Sequence, residues 1–425
     1  MIHNLPNDSY YAATTDRFEA QPQLAGTVIA DVCVIGGGFT GLAAALACAE
    51  QGLDTVLVEG DRVGNGASGR NGGQMIPGLN IYAHELVGLL GRDAAEALYR
   101  LAASARDRVH ARIAAHGIDC DLRHGHVHLA ARKGDMDDLE READFANALL
   151  GDGSARVIAS ADVGQHVAVA GYHGALVTPA GGHMHPMKYA HGLARAALAA
   201  GVRIFEHSRA QHVGEGSPAF VQTATGTVNA RFVVFACDSD MDSIDRVAGQ
   251  YTMPVLNYII ATEPLDAARA AALIPSGAAV SDSRFVLNYF RLSADNRMLF
   301  AGGEKYTRKP PADIAAFVRP FMLGLFPSLA DAAIAYAWGG AVGITVNRLP
   351  HFGRRGQHLF AHGYSGQGVL LATLAGEMMA DAICGKSENF DRFAAIPHIP
   401  FPGGKLLRSP IYTAAMMYLA LRDRL

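Results

Sequence analysis

The feature that most constrains this chain is a glycine fingerprint set between a short apolar run and a helix-forming stretch. Asp31-Val32-Cys33-Val34-Ile35 ends in Gly36-Gly37-Gly38-Phe39-Thr40-Gly41, alanine-rich residues follow to Gln51, and Thr55-Val56-Leu57-Val58-Glu59 is a second β-branched run. Strand, glycine turn, helix and strand make one βαβ unit and predict an α/β fold with a Rossmann-like nucleotide domain. Gly36, Gly38 and Gly41 let backbone N–H groups approach a pyrophosphate at the N-terminus of the helix that Phe39 and Thr40 open. Glu59, followed by Gly60, falls where an acidic side chain accepts hydrogen bonds from an adenosine ribose. An ordinary glycine turn beside a surface glutamate would not require that joint spacing.

The fingerprint alone does not separate NAD from FAD, but the following loops do. Arg62-Val63-Gly64-Asn65-Gly66-Ala67-Ser68-Gly69-Arg70-Asn71-Gly72-Gly73-Gln74 is a second glycine-rich loop directly after the ribose-binding strand. Gly363-Tyr364-Ser365-Gly366-Gln367-Gly368 precedes a further helix. A long cofactor that carries its ring system into the protein needs the second cradle, and a positive helix end aimed at the pyrimidine edge of a flavin stabilises the reduced ring. These features predict FAD, with Arg62, Ala67, Ser68, Arg70, Asn71, Gly72, Gly73, Gln74, Gly363, Gly366, Gln367 and Gly368 in the cofactor set. Ala210 is counted with them.

Composition removes other classes. Over 425 residues, 36 basic and 40 acidic side chains leave a formal charge of −4, without the basic excess that nucleic acid demands. Five widely spaced cysteines point to a reducing, cytoplasmic setting. Met1-Ile2-His3-Asn4-Leu5-Pro6 lacks the charged and apolar regions of a signal peptide. The apolar stretch 411–421, flanked by Arg408 and Arg422, is too short to span a bilayer and is expected to dock as a C-terminal helix rather than to contact a membrane.

Along the chain, the first ~27 residues are polar and turn-rich and read as an arm over the surface. Helical spacing covers 82–116 with a break at Gly91, then 135–150 and 186–200, with Gly201 as the last helix's stop. Strands are expected at 126–131, 202–206, 219–223 and 232–236, and a second, aromatic-rich antiparallel sheet from 252–262, 285–291 and 298–302. The stretch 358–382 returns to strand, glycine turn and helix. The expected division is a discontinuous FAD-binding domain of 1–80, 176–245 and 336–425, and a discontinuous α+β substrate domain of 81–175 and 246–335.

With these residues in view, the chain resembles the FAD-dependent amine and amino-acid oxidase superfamily that includes D-amino-acid, glycine and monomeric sarcosine oxidases. Within it the chain is similar to the gamma-glutamylputrescine oxidases. The resemblance rests on Ser9-Tyr10-Tyr11-Ala12-Ala13-Thr14, the 62–74 loop, Gly181-Gly182-His183-Met184-His185-Pro186, Trp338-Gly339-Gly340, Arg348-Leu349-Pro350-His351-Phe352-Gly353 and the 363–368 turn. It implies a three-segment, glutathione-reductase-type FAD domain and an antiparallel sheet roofing the flavin. Sarcosine oxidases tether flavin through a cysteine that 343–348 lacks here, so non-covalent FAD is expected. A lysine used by some relatives for reaction with oxygen is replaced by Met298-Leu299-Phe300-Ala301, which leaves oxygen or another electron acceptor open.

The implied reaction moves a hydride from an amine-bearing carbon to flavin N5, so the protein must position that carbon and keep the amine neutral. Amines titrate near 10, as Lys does at about 10.4, and burial lowers that value. Tyr289 and Arg291, on one strand face, are candidates for an aromatic wall and a carboxylate anchor. Tyr258, Trp338 and His183 complete the substrate set; the alternative is that the aromatics pack the sheet and Arg291 is a solvated charge. His183-x-His185 has no acidic or cysteine partners for a metal, and Cys237 reads as packing. Three functions remain: a small-molecule amine oxidase, a dehydrogenase passing electrons to a quinone or protein, and a flavin-binding subunit without turnover.

Overall fold

The structure is a computed structural model describing residues 9–151, 153, 155–304, 310–403, 410, 413 and 414. The 411–421 stretch therefore lies outside the described residues, apart from Thr413 and Ala414.

The apolar runs flanking the fingerprint are buried on both faces, as parallel strands under helices must be. Gly26–Ile35 pairs in parallel with both Thr55–Val58 and Gly226–Phe235 at the centre of an eight-stranded sheet. Its order runs His351–Arg355, His358–His362, Gly226–Phe235, Gly26–Ile35, Thr55–Val58, Arg203–Phe205, with a His212–Gly214/Ala219–Gln222 hairpin beside Gly226–Phe235. The helices Phe39–Glu50, Pro186–Ala199 and Gly368–Ile383 supply side chains to the largest apolar core together with this sheet. The first and last of them cross with their backbones in contact. A Cβ on Gly376 would overlap the Thr40 carbonyl and lie 2.6 Å from the Ala44 nitrogen, so the alanines that give this region its helix propensity also give it the necessary thinness.

A nine-stranded mixed sheet forms the second layer: Ile334–Ile344, Met253–Thr262, Met298–Glu304, Tyr289–Leu292, Ala279–Asp282, Arg123–Leu129, Gly174–His183 and Gln74–Met75, with Arg156–Ala159 beside Gly174–His183. One face packs on Ala267–Leu273 and Ile314–Leu325 around Tyr258, Phe290 and Phe300. By sheet membership, residues 176–183 and 336–344 belong to this second layer, although the expected division placed them with the FAD segments.

Three local expectations change. The 285–291 strand shrinks to Tyr289–Leu292 because Asp282 accepts from the Asn288 backbone N–H at 2.9 Å and from its side chain at 2.9 Å, holding the intervening residues as a loop. The 82–116 helical stretch breaks at Ser104 as well as at Gly91, and the Ser104 hydroxyl donates back to the Leu101 carbonyl at 2.7 Å. The amino-terminal arm, over its described residues 9–27, lies mostly exposed as expected but is anchored in the core at Ser9–Tyr11, Phe18 and Leu24. Ser9 caps a Tyr10–Thr14 helix by accepting from Ala12 N–H at 3.1 Å, and Tyr11 is fully buried edge-on to His185 and Trp338. Truncating a buried aromatic costs ~3–5 kcal/mol, against under ~0.5 kcal/mol on a free surface. Tyr11→Ala should therefore show a clear loss of stability in urea unfolding, and an unchanged midpoint would contradict this packing.

Candidate active site

A continuous cavity of about 1190 Å³ is lined by both layers. Single-ligand pockets run to roughly 300–1,000 Å³, so this one has room for a large cofactor and a second molecule.

At one end lies the fingerprint. Gly36 has φ +111°, and a Cβ there would sit 2.5 Å from the Ala236 carbonyl oxygen. A Cβ on Gly41 would overlap the Gly36 carbonyl, so Gly41 serves helix–strand packing and does not itself line the cavity. Gly36, Gly38, Phe39 and Thr40 do line it. Gly38 caps the helix without a side-chain hydrogen bond, leaving N–H groups for an anion. Glu59 accepts from Gly37 N–H at 2.6 Å and Asp61 N–H at 2.8 Å, and burial pushes its carboxyl pKa up. Gly60 and Ala210 line the same end. So does Cys237, whose thiol donates to the Ile35 carbonyl at 3.4 Å and is pushed up to about 12 by burial.

The second loop is stapled from within. Asn71 donates to the Ala67 and Ser68 carbonyls at 3.0 and 2.9 Å and accepts from Gly73 N–H at 2.7 Å. Arg70 donates to the Asn65 and Gly339 carbonyls, and the Ser68 hydroxyl accepts from Phe39 N–H at 2.9 Å. Ala67, Ser68, Arg70, Asn71, Gly72 and Gln74 all line the cavity. Gly73 and Arg62 do not: Gly73 lies against the Met184 carbonyl with φ +71°, and Arg62 bridges to buried Glu206 at 3.0 Å.

Opposite stands the third turn. Gly366, Gln367 and Gly368 line the cavity at the start of Gly368–Ile383, whose N-cap also lacks a side-chain hydrogen bond. Gly363 stays behind them, its N–H donating to half-buried Asp238 at 2.8 Å. The buried Gln367 Oε1 has no hydrogen-bond partner among the described residues. Two helix ends whose N-cap residues make no side-chain hydrogen bond, an orphaned acceptor and a cradle that a Cβ would fill all suit FAD.

The cavity-facing side of the second sheet forms the other wall. His128 lies opposite Ser281 and Ser281 opposite Tyr289 in register, and the Tyr289 hydroxyl donates to Asn257 Oδ1 at 2.8 Å. His126, His128, Ser281, Tyr289 and Asn257 line the cavity, as does Arg348. Arg348 adopts φ +59° and holds its guanidinium 5.0 Å from the Phe285 ring centre. Such a conformation costs of order 1–3 kcal/mol and persists only where its surroundings impose it. Of these residues, sequence reasoning singled out only Tyr289. The missed signal was His124-x-His126-x-His128, three histidines at strand spacing within Arg123–Leu129.

The other substrate candidates do not line the cavity. Tyr258 packs on the far face of its strand against Phe317. Trp338 is sealed beside Tyr11, donating its indole N–H to the Arg70 carbonyl at 3.0 Å. His183 contacts the Gly277 carbonyl at 3.1 Å, and burial drives its pKa down to about 3. Arg291 donates to the Gly72 carbonyl at 2.6 Å, the Met184 carbonyl at 2.9 Å and the Tyr11 hydroxyl at 3.1 Å. These bonds tie it to the cofactor loop and the Met184 backbone. Among the described residues no cluster of three or more His, Cys, Asp or Glu side chains is arranged for a metal. Each buried acceptor left unpaired costs ~1–3 kcal/mol, so Arg291→Ala should lower thermal stability and weaken flavin retention together. A raised KM with stability intact would support the anchor role.

The family described as FAD dependent oxidoreductase matches residues 31–382. Gamma-glutamylputrescine oxidoreductase of Escherichia coli is 37% identical over 98% of this chain and 98% of its own length. A probable oxidoreductase of Haemophilus influenzae is 37% identical over 98% and 97%. Among solved structures, glycine oxidase from Geobacillus kaustophilus superposes with a TM-score of 0.72 at 23% identity, covering 88% of this chain and 100% of that one. L-proline dehydrogenase from P. horikoshii gives 0.69 at 19%, covering 86% and 95%. The chain belongs to the family of FAD-dependent oxidoreductases that act on amines and amino acids.

Proposed function

We propose that this enzyme oxidatively deaminates a gamma-glutamylated polyamine such as gamma-glutamylputrescine, giving an aldehyde, ammonia and hydrogen peroxide. FAD, when bound, supplies the hydride acceptor at N5. The protein's part is to place the amine-bearing carbon against the wall formed by Tyr289 and its neighbours, and to exclude water.

Arg348 carries the substrate reading. It lines the cavity with no carboxylate partner among the described residues, fixed over Phe285. A guanidinium so placed suits a substrate whose far end bears a carboxylate, as a glutamyl group does. The full-length similarity to gamma-glutamylputrescine oxidoreductase supports the same reading.

FAD is held non-covalently in this account. Cys33, Cys48 and Cys120 are buried away from the cavity, and Cys237 faces its nucleotide end. Denaturation should therefore release the yellow chromophore into solution. By layer, the first sheet and its helices serve the cofactor and the second sheet the substrate. A cytoplasmic setting fits this chemistry, and no single helix among the described residues is long and apolar enough to cross a membrane.

A dehydrogenase reading has one observation in its favour: no lysine among the described residues lines the cavity to assist oxygen. Anaerobic mixing with gamma-glutamylputrescine should bleach the oxidised flavin bands, and air should then restore them with peroxide. Restoration only by a quinone would favour the dehydrogenase. Bleaching by amino acids or N-methyl amines alone would overturn the polyamine assignment. Arg348→Ala should raise KM for gamma-glutamylputrescine ~10–100-fold, the worth of a charge-assisted hydrogen bond, while leaving putrescine turnover unchanged.

A further inference from the structure

The cavity wall contains a hydrogen-bond chain that neither flavin binding nor substrate anchoring uses. His126 Nε2 lies 3.0 Å and His128 Nδ1 2.8 Å from the same Ser281 Oγ. A serine hydroxyl has one proton to give. When it donates to one imidazole, the other imidazole must donate to it; because His126 bonds through Nε2 and His128 through Nδ1, the two rings hold matching tautomers, both Nδ1–H or both Nε2–H. The remaining nitrogens, His126 Nδ1 and His128 Nε2, have no protein partner among the described residues and are absent from the sealed, unpaired polar atoms. Both side chains line the cavity. One arrangement presents an acceptor at His126 and a donor at His128, and the other reverses them.

The chain also has a direction. His126 packs on Gly181, itself against the Met75 carbonyl beside the cofactor loop. His128 is the less buried of the two rings, and Asp282 and Asp135 favour its charged form while burial opposes it. Gly174–His183 contributes no titratable side chain before its terminal His183, and Ala279–Asp282 contributes Asp282. Tyr289 flanks Ser281 in register, with Arg132 and Arg284 lining the cavity beyond. Asp282 is occupied by Tyr172, Arg284 and Asn288.

We propose that His126, Ser281 and His128 form a proton relay that takes the proton of the incoming substrate ammonium at His126 and releases one from His128. An N–H bond of the ammonium breaks as one forms at His126 Nδ1. His126 Nε2 passes its proton to Ser281 Oγ, the serine's original proton moves to His128 Nδ1, and the proton on His128 Nε2 leaves to water. One proton is translocated, nothing is oxidised, and the amine is left neutral for hydride loss. A proton returning by the same route restores the first arrangement. Burial lowers the pKa of His126 to about 3, so both rings stay neutral at rest and do not repel a cationic substrate.

The relay rests on the amine-oxidation reading, and anaerobic stopped-flow reduction of the flavin-loaded enzyme by gamma-glutamylputrescine separates the two. Wild-type reduction tests the reading. For the relay, Ser281→Ala should slow reduction about 100-fold near pH 7, in the range of general acid–base effects. The deficit should shrink as pH approaches ~10, where the amine arrives neutral. Ser281→Thr, which keeps the hydroxyl, should restore the rate. A deficit equal at every pH, or none, overturns the relay alone; wild-type flavin that the amine never reduces overturns the reading beneath it. Independently of turnover, ¹⁵N spectra of histidine-labelled protein should show His126 and His128 neutral and in matching tautomers, coupled only while Ser281 is present. Opposite tautomers in the wild type would also overturn the relay.

Discussion

The close crossing of the Phe39–Glu50 and Gly368–Ile383 helices is the contact on which the site depends. Gly376 admits the Thr40 carbonyl and Ala44 nitrogen where any side chain would collide, and the Thr40 hydroxyl meets the Tyr364 hydroxyl at 2.8 Å. Residues more than three hundred positions apart in sequence thereby bring two helix N-termini, whose N-cap residues make no side-chain hydrogen bond, to one cavity. Each end leaves N–H groups unsatisfied and carries roughly half a positive charge. An anionic cofactor with a pyrophosphate at one point and a reducible ring at another answers both, which is why FAD suits this fold and a nicotinamide cofactor would leave the second end idle.

The second sheet is built to opposite requirements on its two faces. Tyr258, Phe290 and Phe300 close one face into core. The other carries His128, Ser281 and Tyr289 across adjacent strands. Polar groups on a largely buried face are costly unless partnered. Here the partners are each other, leaving only the outward imidazole nitrogens and the Tyr289 ring toward the cavity. Arg348 adds charge at a turn whose left-handed backbone fixes its position.

The cofactor half of the site was legible in the sequence because its signals are local. Gly36, Gly38 and Glu59 act through backbone geometry within one βαβ unit, and spacing alone reports such geometry. The substrate half was not, because it depends on what covers each strand face. Alternation correctly put Tyr289 and Arg291 on one side, but nothing local shows that Tyr11 and the Gly72 and Met184 carbonyls close over Arg291. Likewise nothing local shows that Tyr10 and Tyr11 anchor the arm in the core and enclose Trp338. Ser281 and His126 are 155 positions apart, so their pairing exists only in the folded register.

The account therefore stands on one continuous cavity with its cofactor between two helix ends and its substrate on the His126–Ser281–Tyr289 wall. A crystal structure of the FAD-loaded enzyme, soaked without oxygen in a carboxylate-bearing alkylamine, tests this most directly. The account predicts the pyrophosphate at Gly38–Thr40, the flavin's pyrimidine edge at Gly366–Gly368, and the ligand's amine end on that wall with its carboxylate toward Arg348. Ligand density against Arg291 and Trp338, or a flavin whose pyrimidine edge lies away from the Gly368–Ile383 helix, would contradict it.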